Sequence, residues 1–166
     1  MRGTWWRHAP PGADPWLRPQ PPADNRWQRG TVVAALYLAD TPQTAWAEWY
    51  RHLAERAIPP LQALPRDLWR WDVELERVAD LRNTDALAEF GLSHPRPGRP
   101  EWPAFQRVGE ALHAAGWPAL IARSAARPNG LVLCVFRAVT RPAGIAPSAP
   151  PERVDEPPVP PRGMTT

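Results

Sequence analysis

Among the side chains of this sequence that could take part in chemistry, every strong base is an arginine. The chain has 20 arginines and no lysine in 166 residues. Phosphate loops of the Walker type and Schiff-base enzymes both need a lysine, so the sequence excludes these two classes. Arginine binds phosphate groups through paired, charge-assisted hydrogen bonds. If the chain handles a phosphate-bearing substrate, arginines must therefore hold it.

Other common chemistries lack the residue spacing that they require. The four histidines and the single cysteine form no pattern of zinc ligands, so no metal is expected. None of the three serines lies in a G-x-S-x-G elbow, and the ten glycines never form G-x-G-x-x-G. Cys134 lies in an apolar run, which is typical of a core residue. These patterns disfavour metal, serine-triad and Rossmann-type chemistry.

Charge and hydropathy disfavour two classes of partner, nucleic acids and membranes. The net charge is only +3, and acids are interspersed with arginines, as in Arg66-Asp67. Nucleic-acid binders usually carry a basic stripe, so no nucleic-acid partner is expected. The longest apolar runs, 32–39 and 131–136, are too short to span a bilayer. We expect a cytoplasmic protein without a membrane partner, and homo-oligomerisation stays open.

The elements that must position any site are clearest in the first half of the chain. Residues 32–39 form an apolar run that predicts a buried strand. Asp40-Thr41-Pro42 then predicts a capped helix start, and an apolar stripe predicts a helix over 42–56. Residues 68–78 alternate apolar and charged side chains, which predicts a strand with one wet face.

Two helices and two apolar strands are predicted further along, at residues 85–90, 105–115, 118–122 and 130–138. Residues 1–140 are therefore expected to form a single domain of mixed α/β (α+β) class. Residues 141–166 are crowded with proline and poor in large apolar side chains. They are predicted to form a disordered, Pro-rich C-terminal tail.

Four short segments match the motifs of a known family in the same order, which is a specific signal, although a match to any one of them alone would be weak. They are Trp6-Arg7-His8, Asn25-Arg26-Trp27, the strand–turn–helix stretch 35–48, and Ile121-Ala122-Arg123-Ser124-Ala125-Ala126-Arg127. An apolar closing strand follows at 132–136. Together they resemble the RES domain family over about residues 4–139.

The resemblance implies a fold similar to that of ADP-ribosyltransferase toxins. It also implies a cytoplasmic toxin that destroys NAD by cleaving the nicotinamide–ribose bond, as a glycohydrolase or as a phosphorylase. NAD would be the substrate, with inorganic phosphate as co-substrate in the second case and no cofactor. The implied protein partner is an Xre-type antitoxin that covers the active-site cleft.

Matched motif by motif, the resemblance implies a site formed by Arg7, Arg26, Tyr37, Glu48 and Ser124. Glu48 would stabilise positive charge on the ribose or orient the nucleophile, with Arg26 and Ser124 assisting catalysis. Arg7 and Arg26 would hold the diphosphate of NAD. Tyr37 would contact the nicotinamide ring, and Ser124 would hydrogen-bond a phosphate.

Several alternatives stay open at this point. Periodicity alone places Glu48 on a solvated helix face, beside Arg51. The sequence also departs from the family pattern, with Asp24-Asn25 in place of a glycine pair and Arg123 in place of a proline. The alternative functions are ADP-ribosyl transfer to a macromolecule and an inactive RES-like binding module.

Overall fold

The computed structural model describes residues 1–16, 21–137 and 143–165. Within these residues the elements are, in chain order, β1 (Arg2–Ala9), β2 (Ala34–Ala39), α1 (Pro42–Ala54), β3 (Arg66–Glu74), β4 (Ala79–Leu81), α2 (Thr84–Ala88), α3 (Trp102–Ala114), β5 (Ala119–Arg123), β6 (Leu131–Arg137), β7 (Ile145–Pro147) and β8 (Glu152–Val154). A 3₁₀ turn, Pro60–Ala63, separates α1 from β3. The predicted mixed α/β class is confirmed.

All the strands belong to one sheet, with the order β4-β5-β6-β2-β1-β3-β7, and β8 also pairs with β3. Every pairing is antiparallel except that of β4 with β5. The order places β1, β2 and β6 side by side although they are far apart along the chain. Side chains from both ends of the sequence therefore reach the same region of the sheet.

Helix α1 begins as its sequence predicts. The Thr41 hydroxyl accepts a hydrogen bond from the Thr44 amide at 3.1 Å, and Pro42 occupies the first turn, where its missing N–H costs nothing. The helix ends at Ala54, two residues before the predicted end. Its tryptophans, Trp46 and Trp49, are buried against the end of β2. None of the helices described is long and apolar enough to cross a membrane.

The other predicted elements are present with shifted ends. The strand predicted at 32–39 starts at Ala34, and the one predicted at 68–78 is β3, which begins at Arg66 and ends at Glu74. Strand β4, at Ala79–Leu81, follows beyond the predicted range. The alternation predicted for β3 is confirmed, since Trp71 and Val73 are buried whereas Asp72 and Glu74 are exposed. The two later helices run over Thr84–Ala88 and Trp102–Ala114, and the two apolar strands are β5 and β6.

The central strands are buried on both faces of the sheet. In β2, Ala35 and Tyr37 pack towards α3, whereas Leu36 and Leu38 pack into a second core cluster with Trp71 of β3. This two-sided burial explains why the segment is an apolar run and not an alternating one.

The region predicted as a disordered tail differs from that prediction. Ile145–Pro147 pairs with the end of β3, and Glu152–Val154 pairs with its start. Gly144 permits the first pairing, because its φ of +80° is unfavourable for other residues and a Cβ there would lie 2.1 Å from the Glu74 carbonyl oxygen. Backbone hydrogen bonds to an edge strand need no apolar side chain, so composition could not reveal them. The predicted boundary at 140/141 lies outside the described residues.

Candidate active site

A cleft of about 930 Å³ opens beside β1, β2 and α1. This volume lies within the range of small-molecule sites in proteins. Four of the five predicted site residues line it: Arg7, Arg26, Tyr37 and Glu48. Ser124 lies directly behind its wall, between the lining residues Arg123 and Ala125.

Glu48 stands in the wall of the cleft and both of its carboxylate oxygens have protein donors. Oε1 accepts a hydrogen bond from the Ser124 hydroxyl at 2.7 Å, and Oε2 accepts one from Arg51 Nε at 3.0 Å. The Glu48 side chain is 25% exposed. Helix α1 therefore turns its polar face into the cleft, and the Arg51 pair expected from helical spacing forms there as well.

The Ser124 hydroxyl is engaged entirely within the protein. It donates to Glu48 and accepts hydrogen bonds from the Ala126 and Arg127 amides at 3.1 and 3.0 Å. The residue is 1% exposed. In this arrangement Ser124 orients the Glu48 carboxylate, whereas the sequence predicts a contact between its hydroxyl and a phosphate.

Arg26 is buried in the segment that joins β1 to β2. Its Nη2 donates to the Arg96 carbonyl and, at 3.4 Å, to the Gly98 carbonyl, and its guanidinium lies 5.3 Å from the centre of the Phe105 ring. Its Nη1 is buried and has no acceptor among the described residues. Burial, followed by the charge of Arg51, lowers the pKa of Arg26. A buried donor without a partner is costly, so Nη1 is suited to an oxygen atom of a ligand.

Tyr37 fixes the segment that carries Arg26. The tyrosine hydroxyl donates to Gln28 Oε1 at 2.7 Å and accepts from the Trp27 amide at 3.1 Å. Burial is the main cause that raises the pKa of Tyr37 well above its ordinary value. Gly109 of α3 lets the same segment pack closely, because a Cβ there would lie 1.9 Å from the Trp27 carbonyl oxygen. The predicted contact of Tyr37 with nicotinamide stays a prediction.

Arg7 lies in β1 in a different electrostatic environment. Burial and then the charges of Arg137 and Arg66 lower its pKa to about 10. The pKa of Arg26 responds instead to Arg51 and Glu48. The two predicted phosphate-binding arginines thus belong to two separate groups in one cleft.

The departures from the family pattern cause no strain here. Among the described non-glycine residues only Ala57 has a positive φ, so Asp24 and Asn25 fit without the freedom of glycine. Asp24 also accepts a hydrogen bond from the Gly30 amide at 2.8 Å. Arg123 donates to the Arg82 and Pro128 carbonyls, at 3.0 and 3.2 Å. That side chain is held on the rim of the cleft.

Six further arginines line the cleft and were not predicted as site residues: Arg51, Arg56, Arg66, Arg99, Arg123 and Arg137. Helical spacing identified Arg51 as a neighbour of Glu48, but no local signal distinguishes Arg66 and Arg137. No group of three or more His, Cys, Asp or Glu side chains in the described part of the chain could hold a metal ion.

Comparisons with known proteins identify the family of the chain. A probable NAD(+) phosphorylase of Mycobacterium tuberculosis (strain ATCC 25618 / H37Rv) is 27% identical over 142 residues, which are 82% of this chain and 65% of that protein. The crystal structure of the M. tuberculosis MbcT–MbcA toxin–antitoxin complex has a chain of the same fold, with a TM-score of 0.79 and 22% identity over 94% of this chain and 85% of that one. The model of the RES domain matches residues 4–156. The chain therefore belongs to the RES domain family.

Proposed function

We propose that this chain cleaves the nicotinamide–ribose bond of NAD and that the cleft beside α1 is its active site. One observation carries the proposal: the Glu48 carboxylate is fixed in the wall of the same cleft that holds Arg26, whose buried Nη1 has no acceptor among the described residues. The name of the mycobacterial relative, an NAD(+) phosphorylase, supports the same substrate. Action on the NAD pool would take place in the cytoplasm.

The chemistry requires little proton transfer at the leaving group. When the C1′–N bond breaks, its electron pair passes to the cationic ring nitrogen, and nicotinamide leaves as a neutral molecule. Positive charge develops on the ribose in the transition state, as in other glycosyl transfers. Glu48 is proposed to stabilise that charge electrostatically.

The acceptor then forms the new bond to C1′. When water attacks, the product is ADP-ribose, and the water gives up one proton, which Glu48 takes and then passes to the solvent. An oxygen of the phosphate dianion gives ADP-ribose phosphorylated at C1′. The abundance of arginine in the cleft and the name of the relative support phosphate as the acceptor.

The test is product analysis of NAD incubated with the purified protein, with and without inorganic phosphate. We expect free nicotinamide, together with the phosphorylated product when phosphate is present. Glu48→Gln should lower kcat by roughly 10²- to 10⁴-fold, the usual effect of losing a positioned acid–base group. The matched control, Glu89→Gln, changes an exposed carboxylate at the end of α2 and should leave kcat unchanged.

Each alternative has its own outcome in this assay. Labelled ADP-ribose attached to protein or nucleic acid would replace our proposal with macromolecular transfer. A folded wild-type protein that leaves NAD intact would favour a binding module. Equal activity of Glu48→Gln and the wild type would remove Glu48 from the mechanism.

We further propose that the chain is a toxin and that an Xre-type antitoxin covers the cleft. The support is its fold, which matches a chain of a toxin–antitoxin complex. The proposal predicts a gene for a small helical protein beside the gene of this chain. Co-expression of the two should restore growth and cellular NAD, and the two proteins should co-purify. Growth arrest that persists despite a stable complex would contradict the proposal.

A further inference from the structure

Three arginines from three different strands lie near one another in the cleft. Arg7 lies in β1, Arg66 begins β3, and Arg137 ends β6. All three line the cleft. The sheet order brings them together, since β6, β2, β1 and β3 are neighbours.

Two of these guanidinium groups have spare buried donors. The Nε atoms of Arg7 and Arg66 are inaccessible to solvent and have no acceptor in the described part of the chain. Neither residue forms an ion pair with a carboxylate of that part. Their positive charges are therefore compensated only weakly by the protein itself.

Neighbouring groups hold Arg66 and Arg137 in place. Arg66 Nη2 lies 3.0 Å from His8 Nδ1, and because arginine can only donate, the neutral imidazole accepts. Arg137 donates to the Trp16 carbonyl and stacks on the Trp16 ring, 4.8 Å from its centre. Two of the three guanidinium groups are thus positioned by contacts within the protein.

Such a group of like charges is unfavourable in the empty protein. Burial, followed by the charges of Arg137 and Arg66, lowers the pKa of Arg7 to about 10. Perturbed charges collected in a cleft are typical of functional sites. An anion with several oxygen atoms would accept from the spare donors and offset the repulsion.

We propose that Arg7, Arg66 and Arg137 form a phosphate-binding subsite of the cleft that is separate from Arg26 and Glu48. Its ligand is a phosphate group, either inorganic phosphate or the diphosphate of a nucleotide. Only the identity of that ligand depends on the proposed function. Phosphate binding itself can be measured without any NAD cleavage.

The experiment measures binding of inorganic phosphate and of ADP-ribose to the full chain by calorimetry. It compares the wild type with Arg66→Gln, Arg7→Gln and the matched control Arg70→Gln, an exposed arginine of the same strand β3. Arg66→Gln and Arg7→Gln should weaken phosphate binding roughly tenfold or more, the effect of losing one charge-assisted hydrogen bond. Arg70→Gln should bind as the wild type does.

Thermal unfolding in phosphate-free buffer separates a lost subsite from a lost fold. Removing one of the mutually repelling charges should leave the melting temperature of Arg66→Gln equal to or above that of the wild type. Its increase on adding phosphate should be smaller than in the wild type. A wild type that binds neither ligand, or variants that bind both as well as the wild type, would overturn the subsite even if the protein cleaves NAD.

Competition identifies the source of the phosphate group. If ADP-ribose displaces inorganic phosphate and both bind Arg66→Gln more weakly, the subsite holds the diphosphate. If phosphate and ADP-ribose bind together and only phosphate is weakened, the subsite holds the free anion. Both results support the subsite. A protein that binds phosphate at this subsite but leaves NAD intact would refute only the proposed function.

Discussion

At the scale of single residues, the geometry of the site depends on how the Glu48 carboxylate is held. Ser124 and Arg51 donate to different oxygens, so the carboxylate cannot rotate without losing one of them. Ser124 is also the acceptor for two backbone amides of the turn after β5. One small hydroxyl thus links the conformation of a turn to the orientation of the proposed catalytic group.

Ser124→Ala tests this link. We expect kcat for NAD cleavage to fall at least tenfold while KM for phosphate changes little, because Ser124 acts through Glu48 and not on the ligand. The Ala126 and Arg127 amides lose the Ser124 hydroxyl as an acceptor, which should cost about 1–3 kcal/mol in the free energy of unfolding. Steady-state kinetics with both substrates and denaturant unfolding measure the two effects. A large rise in KM for phosphate with unchanged kcat would instead support direct phosphate contact.

His8 lies beside Arg66 and Arg7 and makes the stability of the fold depend on pH. Its ring stacks on Trp46, with 5.5 Å between ring centres. Burial, then the charges of Arg66, Arg7 and His52, lower its pKa well below the ordinary value. The unfolded chain therefore binds a proton at about pH 6.5, where the folded protein does not. The contribution of His8 to the free energy of unfolding is therefore fully present above about pH 6.5. It declines as the pH falls from there towards the lower pKa that His8 has in the folded protein.

We expect the melting temperature of the wild type to fall between about pH 7.5 and 5.5, and to fall less steeply in His8→Gln, which cannot titrate but keeps an acceptor for Arg66. The pKa of His52 is also lowered, mainly by burial, so some decline should persist in the variant. His113→Gln, a change at an exposed histidine, serves as control. Parallel curves for His8→Gln and the wild type would show that His8 contributes nothing to the acid loss.

At the scale of elements, the structure shows what local sequence can and cannot reveal. Helix α1 could be predicted because Thr41, Pro42 and the tryptophan stripe are local signals. Strands β7 and β8 could not, since they depend on the free edge of β3, which no nearby residue encodes. The same holds for the segment that carries Arg26, whose close packing depends on Gly109, more than 80 residues away.

The C-terminal segment reaches back to the turn that supports Glu48. Tyr50 of α1 donates to the Pro158 carbonyl. The amide and hydroxyl of Thr165 donate to the Ala126 and Ala125 carbonyls, at 2.7 and 3.0 Å. A segment predicted from its composition as a free tail thus contacts the back of the proposed active site.

Deleting residues 157–166 should loosen that turn. With three hydrogen bonds lost, we expect stability to fall by about 1–3 kcal/mol. The amides of 124–127 should exchange hydrogen faster, and kcat should fall through Glu48. Hydrogen exchange followed by mass spectrometry measures the turn directly. Tyr50→Phe removes one of the three bonds and should show a smaller change. Unaltered exchange at 124–127 in the truncated chain would refute the coupling.

At the scale of the whole molecule, the site is a product of sheet order. Residues 7, 26, 37, 48 and 124 are spread over most of the chain, and they reach one cleft because β5, β6, β2 and β1 follow one another across the sheet. Periodicity predicts the strands but not their order, so periodicity alone left Glu48 on a surface. The family resemblance supplied the grouping, although it did not identify Arg66 and Arg137, which carry no local signal.

Because the cleft joins side chains of β1, β2, β6 and α1, a ligand bound there should stabilise the fold as a unit. Glu48→Gln permits the measurement with NAD itself, since we expect this variant to bind the substrate without consuming it. At NAD concentrations 100-fold above Kd, stabilisation should reach about 2.7 kcal/mol, and each further tenfold should add about 1.4 kcal/mol. The melting temperature would rise by about 2–4 °C per kcal/mol.

Nicotinamide riboside lacks the diphosphate, so the arginines cannot hold it and the shift in melting temperature that it causes should be small. Equal shifts with both ligands would show that the arginines of the cleft do not recognise phosphate, whereas no shift with millimolar NAD would place substrate binding outside this cleft.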